Sequence, residues 1–353
     1  MSGRNQHFIP QCLLRGFGVK RGKKTYVVAY TYDRGTFAPP TDGIGAEGNF
    51  YSDLDVEGAT ETLDDKITDY EQGLPSLFKQ LRNPSAHQNP AVPAELVTHL
   101  TVRNDHFRKA ASMGGAGLFE VVGQVLGNED SARAMMGIDG DRPGELFAAE
   151  LPKMWEEFRP LAGMLGMSED QFHEWAFQAV KANFSSFHAE IAEPLQRMLG
   201  NLSERASDAA ATAQRRSLNE NLSPPKRVER LSEFGWQTVE WMEPLVLPDC
   251  VAVGIDAEHG VLPLMLASLD QTETIFMPLS ADRILIGTLG AMPEPRKDMN
   301  EVLARCSWDF FVGRDRTTEL EGYRPLLRTT SERFMSGTIS EVIEESMSSN
   351  RVH

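Results

Sequence analysis

Phe172-His-Glu-Trp-Ala-Phe-Gln-Ala-Val-Lys-Ala-Asn-Phe-Ser-Ser-Phe-His-Ala-Glu-Ile191 places Phe172, Trp175, Phe177, Val180, Phe184, Phe187 and Ile191 at intervals dominated by three and four. An α-helix turns once in about 3.6 residues, so this spacing gathers apolar side chains along one side and predicts an amphipathic helix. Outward from it, Leu146, Leu151, Trp155 and Phe158 before and Leu195 and Leu199 after keep the interval. Residues 143–220 therefore read as a helical bundle, with Trp and Phe as core and not as a cofactor box.

Toward the N-terminus, Leu63, Ile67, Tyr70 and Leu74 repeat the helical interval until Pro75, which is expected to kink or end that helix. A further helix from Pro93 through Leu96, Leu100 and Phe107 carries Arg103 and His106, and Gly114, Gly115 and Gly117 are expected to stop it. Ahead of both, Thr25-Tyr-Val-Val-Ala-Tyr-Thr-Tyr32 reads as a strand turning at Asp33-Arg-Gly35. After Ser223-Pro-Pro225, the short β-branched or aromatic segments 236–241, 250–255, 274–277 and 283–286 predict a sheet, with a helix over 299–311 packed on it. The expected fold is α+β: a predominantly helical central bundle, an N-terminal β-hairpin segment and a small C-terminal antiparallel sheet. The expected divisions are 1–112, 113–222 and 223–345, followed by a flexible tail over 346–353.

The chain of 353 residues carries a formal charge of −16, so its overall field repels polyanions. One end differs: Arg4, Arg15, Lys20, Arg21, Lys23 and Lys24 make residues 1–32 a +6 island with no acid before Asp33. Such an island suits a phosphate or an acidic partner, and equally a solvated arm. Cys12, Cys250 and Cys306 are too scattered for a disulfide framework or a zinc knuckle. No apolar run reaches signal-peptide or membrane-span length, so a cytoplasmic protein with no membrane partner is expected.

The opening Asn5-Gln-His7-Phe-Ile-Pro10-Gln-Cys-Leu-Leu14-Arg15-Gly-Phe17 puts His7 ahead of a Pro that can begin a helix. There, a lowered imidazole pKa would let His7 exchange a proton while the helix end holds an anion. The alternative is structural, with Phe8, Leu14 and Phe17 as anchors. His99, Arg103 and His106 fall at i, i+4 and i+7, one helical face beside Arg108 and Lys109. That face offers bidentate phosphate contacts and proton transfer, or an exposed flank with ion pairs to Asp105. Glu61 and Asp65 at i, i+4 supply two oxygen ligands for Mg²⁺ with nothing to fix the rest, so a divalent metal is an alternative that the spacing leaves open. The phosphate-binding, dinucleotide-binding and hydrolase-elbow motifs are absent.

The opening His7-Phe-Ile-Pro-Gln11, with Leu14, Arg15 and Phe17, resembles the hallmark of the bacterial family called domain of unknown function 4238. Asn49-Phe-Tyr51, the helix ending near Glu71, Arg103-Asn-Asp-His-Phe-Arg108 and Pro278-Leu-Ser280 are similar to its further steps. Where the family commonly has Ser-Asp-x-Pro, this chain has Pro248-Asp249-Cys-Val and keeps only the Asp. The resemblance implies a shared fold, no established activity, and by analogy a host-defence setting.

Together these features predict a phosphodiester-cleaving or phosphate-ester-recognising enzyme. His7 and His106 are its expected catalytic groups, and Arg15, Arg103 and Arg108 its substrate contacts, on nucleic acid or another phosphate-bearing ligand. The alternative is a non-catalytic protein that docks an acidic partner.

Overall fold

The computed structural model describes residues 5–51 and 62–348. They form an α+β protein, and the chain divides into two compact units: 1–111 with 207–334, and 112–206 with 335–353.

In the first unit, β1 (Asn5–His7) leads through Pro10 into the short helix α1 (Gln11–Leu14), then into an exposed hairpin of β2 (Val19–Arg21) and β3 (Lys24–Tyr26). The predicted hairpin follows as β4 (Val28–Thr31) and β5 (Gly35–Phe37), and β6 (Ala46–Gly48) returns to pair with β1. Helix α2 (Leu63–Leu81) opens on a capping box, in which Thr62 and Asp65 satisfy each other's backbone donors. It does not end at Pro75, which lies on the exposed side, since Leu74, Phe78 and Leu81 hold the helix to the core.

The strand β7 (Ser85–Ala86) precedes α3 (Ala91–Val102), and α4 (Asp105–Gly127) begins only after Arg103 and Asn104. The single helix expected here is thus two. The Asn104 side chain accepts the His106 N–H at 2.7 Å, a local bond that competes with helix continuation. His99, Arg103 and His106 consequently do not share one helical face.

The C-terminal part of this unit supplies α8 (Pro225–Ser232), β8 (Gly235–Glu240), β9 (Leu247–Pro248), β10 (Val253–Asp256), β11 (Gly260–Pro263), β12 (Thr272–Ser280) and β13 (Arg283–Thr288). Next come α9 (Met299–Cys306), β14 (Phe310–Gly313), α10 (Thr318–Tyr323) and the start of α11 (Thr329–Ser348). The predicted helix over 299–311 is therefore a helix and then a strand.

One antiparallel sheet has the order β11-β10-β12-β13-β8-β7; another has the order β5-β4-β14-β9. The second joins the two ends of the chain, with Tyr30 opposite Phe311 and their rings stacked at 4.8 Å. Between and around these sheets lies one apolar core, from Ile9, Leu13, Leu14 and Phe17 through Phe78 and Leu100 to Ile284, Leu285 and Phe311.

The second unit is helical: most of α4, then α5 (Glu129–Met136), α6 (Glu145–Met164), much of α7 (Glu169–Glu220) and the rest of α11. Leu151, Phe172, Phe177 and Phe184 form its core as the spacing predicts, but Phe147 is buried in place of the expected Leu146, and Phe158, Trp175, Phe187 and Ile191, expected in the core, are exposed. The glycines expected to stop α4 lie inside it instead. Met335 and Ile339 occupy the space that a Cβ on Gly114 or Gly117 would need, so these positions serve close packing.

Candidate functional site

The opening motif is anchored by its apolar residues. Ile9, Leu13, Leu14 and Phe17 are fully buried, and the Phe8 and Ile9 amides both donate to the Gly45 carbonyl. Gly16 sits where a Cβ would meet the Leu279 carbonyl at 2.7 Å, and its own carbonyl accepts from Ala281. Arg82 ties the same two segments, donating to Cys12 O and Leu279 O at 3.0 Å each. The Pro278-Leu-Ser280 step therefore packs directly on the opening motif.

His7 is half-buried at the end of β1. Arg15 donates to Gln11 Oε1 at 3.1 Å, so the Gln11 amide nitrogen is left to donate to His7 Nε2, also at 3.1 Å. An amide NH₂ cannot accept, so the neutral ring carries its proton on Nδ1. Burial lowers the His7 pKa; Glu71 opposes this and Arg103 reinforces it. The direction matches the sequence reading, but the cause is desolvation and not a helix dipole, since α1 spans only four residues.

Behind His7 lies Arg103, whose side chain is fully buried. Its guanidinium donates to the His7 carbonyl, to Glu71 Oε1 at 2.5 Å and to His99 Nε2 at 3.0 Å. A guanidinium only donates, so His99 must accept on Nε2 and donate its Nδ1–H to Leu222 O at 3.1 Å. Burial and the neighbouring Arg103 hold His99 well below its ordinary pKa. Burial disfavours the Arg103 charge, yet Tyr51 and Glu71 together raise its pKa. The Glu71 carboxylate remains about one-third exposed and faces the same cluster.

The other sequence candidates lie elsewhere in this unit. Arg108 is buried, donating to Gln214 and to Phe50 O, with its guanidinium 3.4 Å from the Phe50 ring centroid. Gln214 in turn donates to Val102 O and Asn104 O. With Arg103 5.9 Å from the Tyr51 ring, the paired arginines each face one aromatic of the Asn49-Phe-Tyr51 step.

His106 belongs to a third cluster, with Nε2 3.1 Å from Ser331 Oγ and Nδ1 3.5 Å from Asp249 Oδ1. This has the order of a nucleophile relay, which sequence separation hid. Ser331 has zero accessibility, however, and Asp249 spends its oxygens on the Trp308, Asp309 and Phe310 amides. No substrate reaches a hydroxyl sealed in this way, so the arrangement is a structural brace. Asp249 thereby holds the entry to β14.

The structure thus brings together His7, Arg103 and, through Gln11, Arg15, and separates them from His106 and Arg108. Sequence reasoning had marked Glu71 only as part of a family step. Its signal was the placement of an acid on α2 where it meets a buried arginine from α3. Arg4, Glu61 and residues 349–353 of the expected tail lie outside the described residues; Asp65 is engaged by Thr62. Among the described residues no group of three or more His, Cys, Asp or Glu could hold a metal ion.

An α+β frame carrying a partly exposed imidazole and carboxylate over a fully buried arginine is the class of protein that the fold and site define. Residues 5–136 match the family described as "Protein of unknown function (DUF4238)". The resemblance carried by the opening motif holds over that segment, which includes His7, Glu71 and Arg103 and ends before Pro278-Leu-Ser280. No curated protein and no solved structure matches the chain. Among the described residues, no helix is long and apolar enough to cross a membrane.

Proposed function

We propose that this protein acts on phosphate esters, as a phosphodiester-cleaving or phosphate-recognising enzyme of nuclease type serving in host defence. The observation that supports the reading is that one Arg103 nitrogen donates to both the His7 carbonyl and the Glu71 carboxylate, whose charge acts on the half-buried His7 imidazole. At pH 7 one of these bases accepts the proton of an attacking water. The proton so taken is returned to the leaving oxygen as the new bond from the water oxygen to phosphorus forms and the P–O bond to the leaving group breaks. Arg103 is a positioning residue, because its side chain is fully buried and its terminal nitrogens donate to Glu71, the His7 carbonyl and His99. The cations available to substrate are exposed: Arg15 beside Gln11, and Lys20, Arg21, Lys23 and Lys24 on the β2–β3 hairpin. Lys24 pairs at 2.9 Å with Asp42, a carboxylate that His7 also feels, which joins the hairpin to the rim of the site.

A panel of single- and double-stranded RNA and DNA and a chromogenic phosphodiester tests this. Hydrolysis should fall at least a hundredfold in His7→Ala and Glu71→Gln with the fold intact, and binding should weaken with salt and in Lys20→Ala/Lys23→Ala. Equal activity in wild type and His7→Ala would overturn the proposal.

A second reading draws on the burial of Arg103. Here the same residues only fasten the N-terminal segment, and the exposed hairpin docks an acidic protein. It predicts a wild type inactive on the whole panel and a His7→Ala variant that loses stability.

A further inference from the structure

The β2–β3 hairpin is a two-stranded sheet of its own, tied at its base by the Tyr26–Pro40 bridge. Residues 19–24 are all exposed. Gly22 opens the two-residue turn at φ +61, as a tight hairpin requires, and among the described residues a Cβ on it would meet no atom within 4 Å. The tip therefore stands clear of the body.

The register fixes where the cations point. Val19 lies opposite Tyr26, Lys20 opposite Thr25, and Arg21 opposite Lys24. Residues directly opposite in an antiparallel pair share a face, and successive residues alternate. Arg21 and Lys24 thus share one face with Val19 and Tyr26, Lys20 lies on the other, and Lys23 is in the turn. The Arg21 guanidinium, 5.8 Å from the Tyr26 ring, agrees with this division. Lys24 is paired with Asp42, whereas Lys20, Arg21 and Lys23 make no ion pair among the described residues.

Cations on both faces and at the tip suit a ligand that presents phosphates on both sides of a groove. The major groove of B-form DNA, ~12 Å wide, admits a two-stranded β-ribbon between its two backbones. The narrow major groove of an RNA duplex does not. A single strand has one backbone and binds by stacking on open aromatic rings, but Tyr26 is half-buried and faced by Arg21. An acidic protein surface would meet only one face. Three residues per strand at ~3.3 Å each give the ribbon a reach of ~10 Å, about one Debye length. Phosphates at the tip are therefore largely screened from a chain whose overall charge is −16.

We propose that the phosphate-bearing ligand is double-stranded DNA, entered through its major groove by the β2–β3 ribbon, with Lys20, Arg21 and Lys23 on the flanking phosphates. The inference rests on the phosphate-ester reading, and its test measures binding apart from hydrolysis. Fluorescence anisotropy of the full chain, as wild type and as His7→Ala, compares a short DNA duplex with its single strand and with an RNA duplex of the same sequence. The DNA duplex should bind at least tenfold more tightly than either. Three phosphate contacts give a slope of about −2.7 in log K against log salt concentration, and Lys20→Ala/Lys23→Ala should remove about two-thirds of it. That variant should bind at least tenfold more weakly with an unchanged thermal midpoint, and Lys20→Arg/Lys23→Arg should restore binding. Removing the same charge from other elements, in Lys226→Ala/Lys297→Ala, should change affinity less than threefold. Dimethyl sulfate footprinting should show protection of guanine N7, in the major groove, and not of adenine N3, in the minor groove.

Equal affinity for the single strand or the RNA duplex, or no binding at all, overturns the proposal. So does an affinity unmoved by Lys20→Ala/Lys23→Ala, or protection of adenine N3 in place of guanine N7. Hydrolysis without hairpin-dependent binding overturns this inference alone, whereas hairpin-dependent binding without hydrolysis overturns the catalytic reading and leaves the DNA contact standing.

Discussion

Replacing Arg103 with methionine keeps the approximate length of the side chain and removes every donor. The change leaves the His7 carbonyl, Glu71 Oε1 and His99 Nε2 without their shared partner. Removing one member of a buried ion pair destabilises by ~3–5 kcal/mol, because the remaining charge stays desolvated. Glu71 is 34% exposed at its side chain, so water recovers part of that loss and the lower end, about 3 kcal/mol, is expected. For a unit of this size that corresponds to a fall of roughly 6–12 °C in thermal midpoint. Glu71→Gln preserves an acceptor for Arg103 and should destabilise by only about 1 kcal/mol. In the double variant the two effects should not add, since the Arg103→Met change already leaves residue 71 no partner to lose. Urea titrations of the four proteins with unchanged m values measure the cycle. A loss below about 1 kcal/mol for Arg103→Met, or strict additivity, would refute the idea that this guanidinium organises the site.

Acid should weaken the fold early. His7, His87 and His99 all have pKa values lowered from 6.5, chiefly by burial, so the unfolded chain takes up protons first on acidification. Their contribution is full above pH 6.5 and is lost as pH falls through 6.5 toward the folded values; His99→Gln should flatten the melting-temperature profile between about pH 7.5 and 5.5. Gly137 ends α5 at φ +64, where a Cβ would stand 2.5 Å from Gly144 Cα. Gly137→Ala should therefore destabilise by more than about 2 kcal/mol, whereas Gly163→Ala, in open space within α6, should stabilise by ~0.5–1 kcal/mol in thermal unfolding. Asp249→Asn turns an amide NH₂ toward backbone donors and should cost about 3 kcal/mol or more in a urea melt. Ser331→Ala should leave hydrolysis unchanged, and loss of hydrolysis in that variant would show the His106 cluster to be reactive after all.

The sequence alone determined what depends on neighbours in the chain. Helical spacing picked out Leu151, Phe172, Phe177 and Phe184 of the second unit's core, and β-branched runs ending at turns specified the β4–β5 hairpin and most strands of the larger sheet. The opening motif was likewise legible, because its apolar residues and Pro10 set the strand-to-helix step locally. Tertiary packing decided the rest. Pro75 and Gly114 sit inside helices because burial of the opposite face or a close neighbour outweighs local propensity. Arg103, His106 and Arg108 share one short stretch of sequence yet enter three separate clusters, since the break at Asn104 redirects the chain. Glu71 joined the site only when α2 and α3 packed together, and a buried arginine chooses its acid by proximity in space, which local sequence cannot encode.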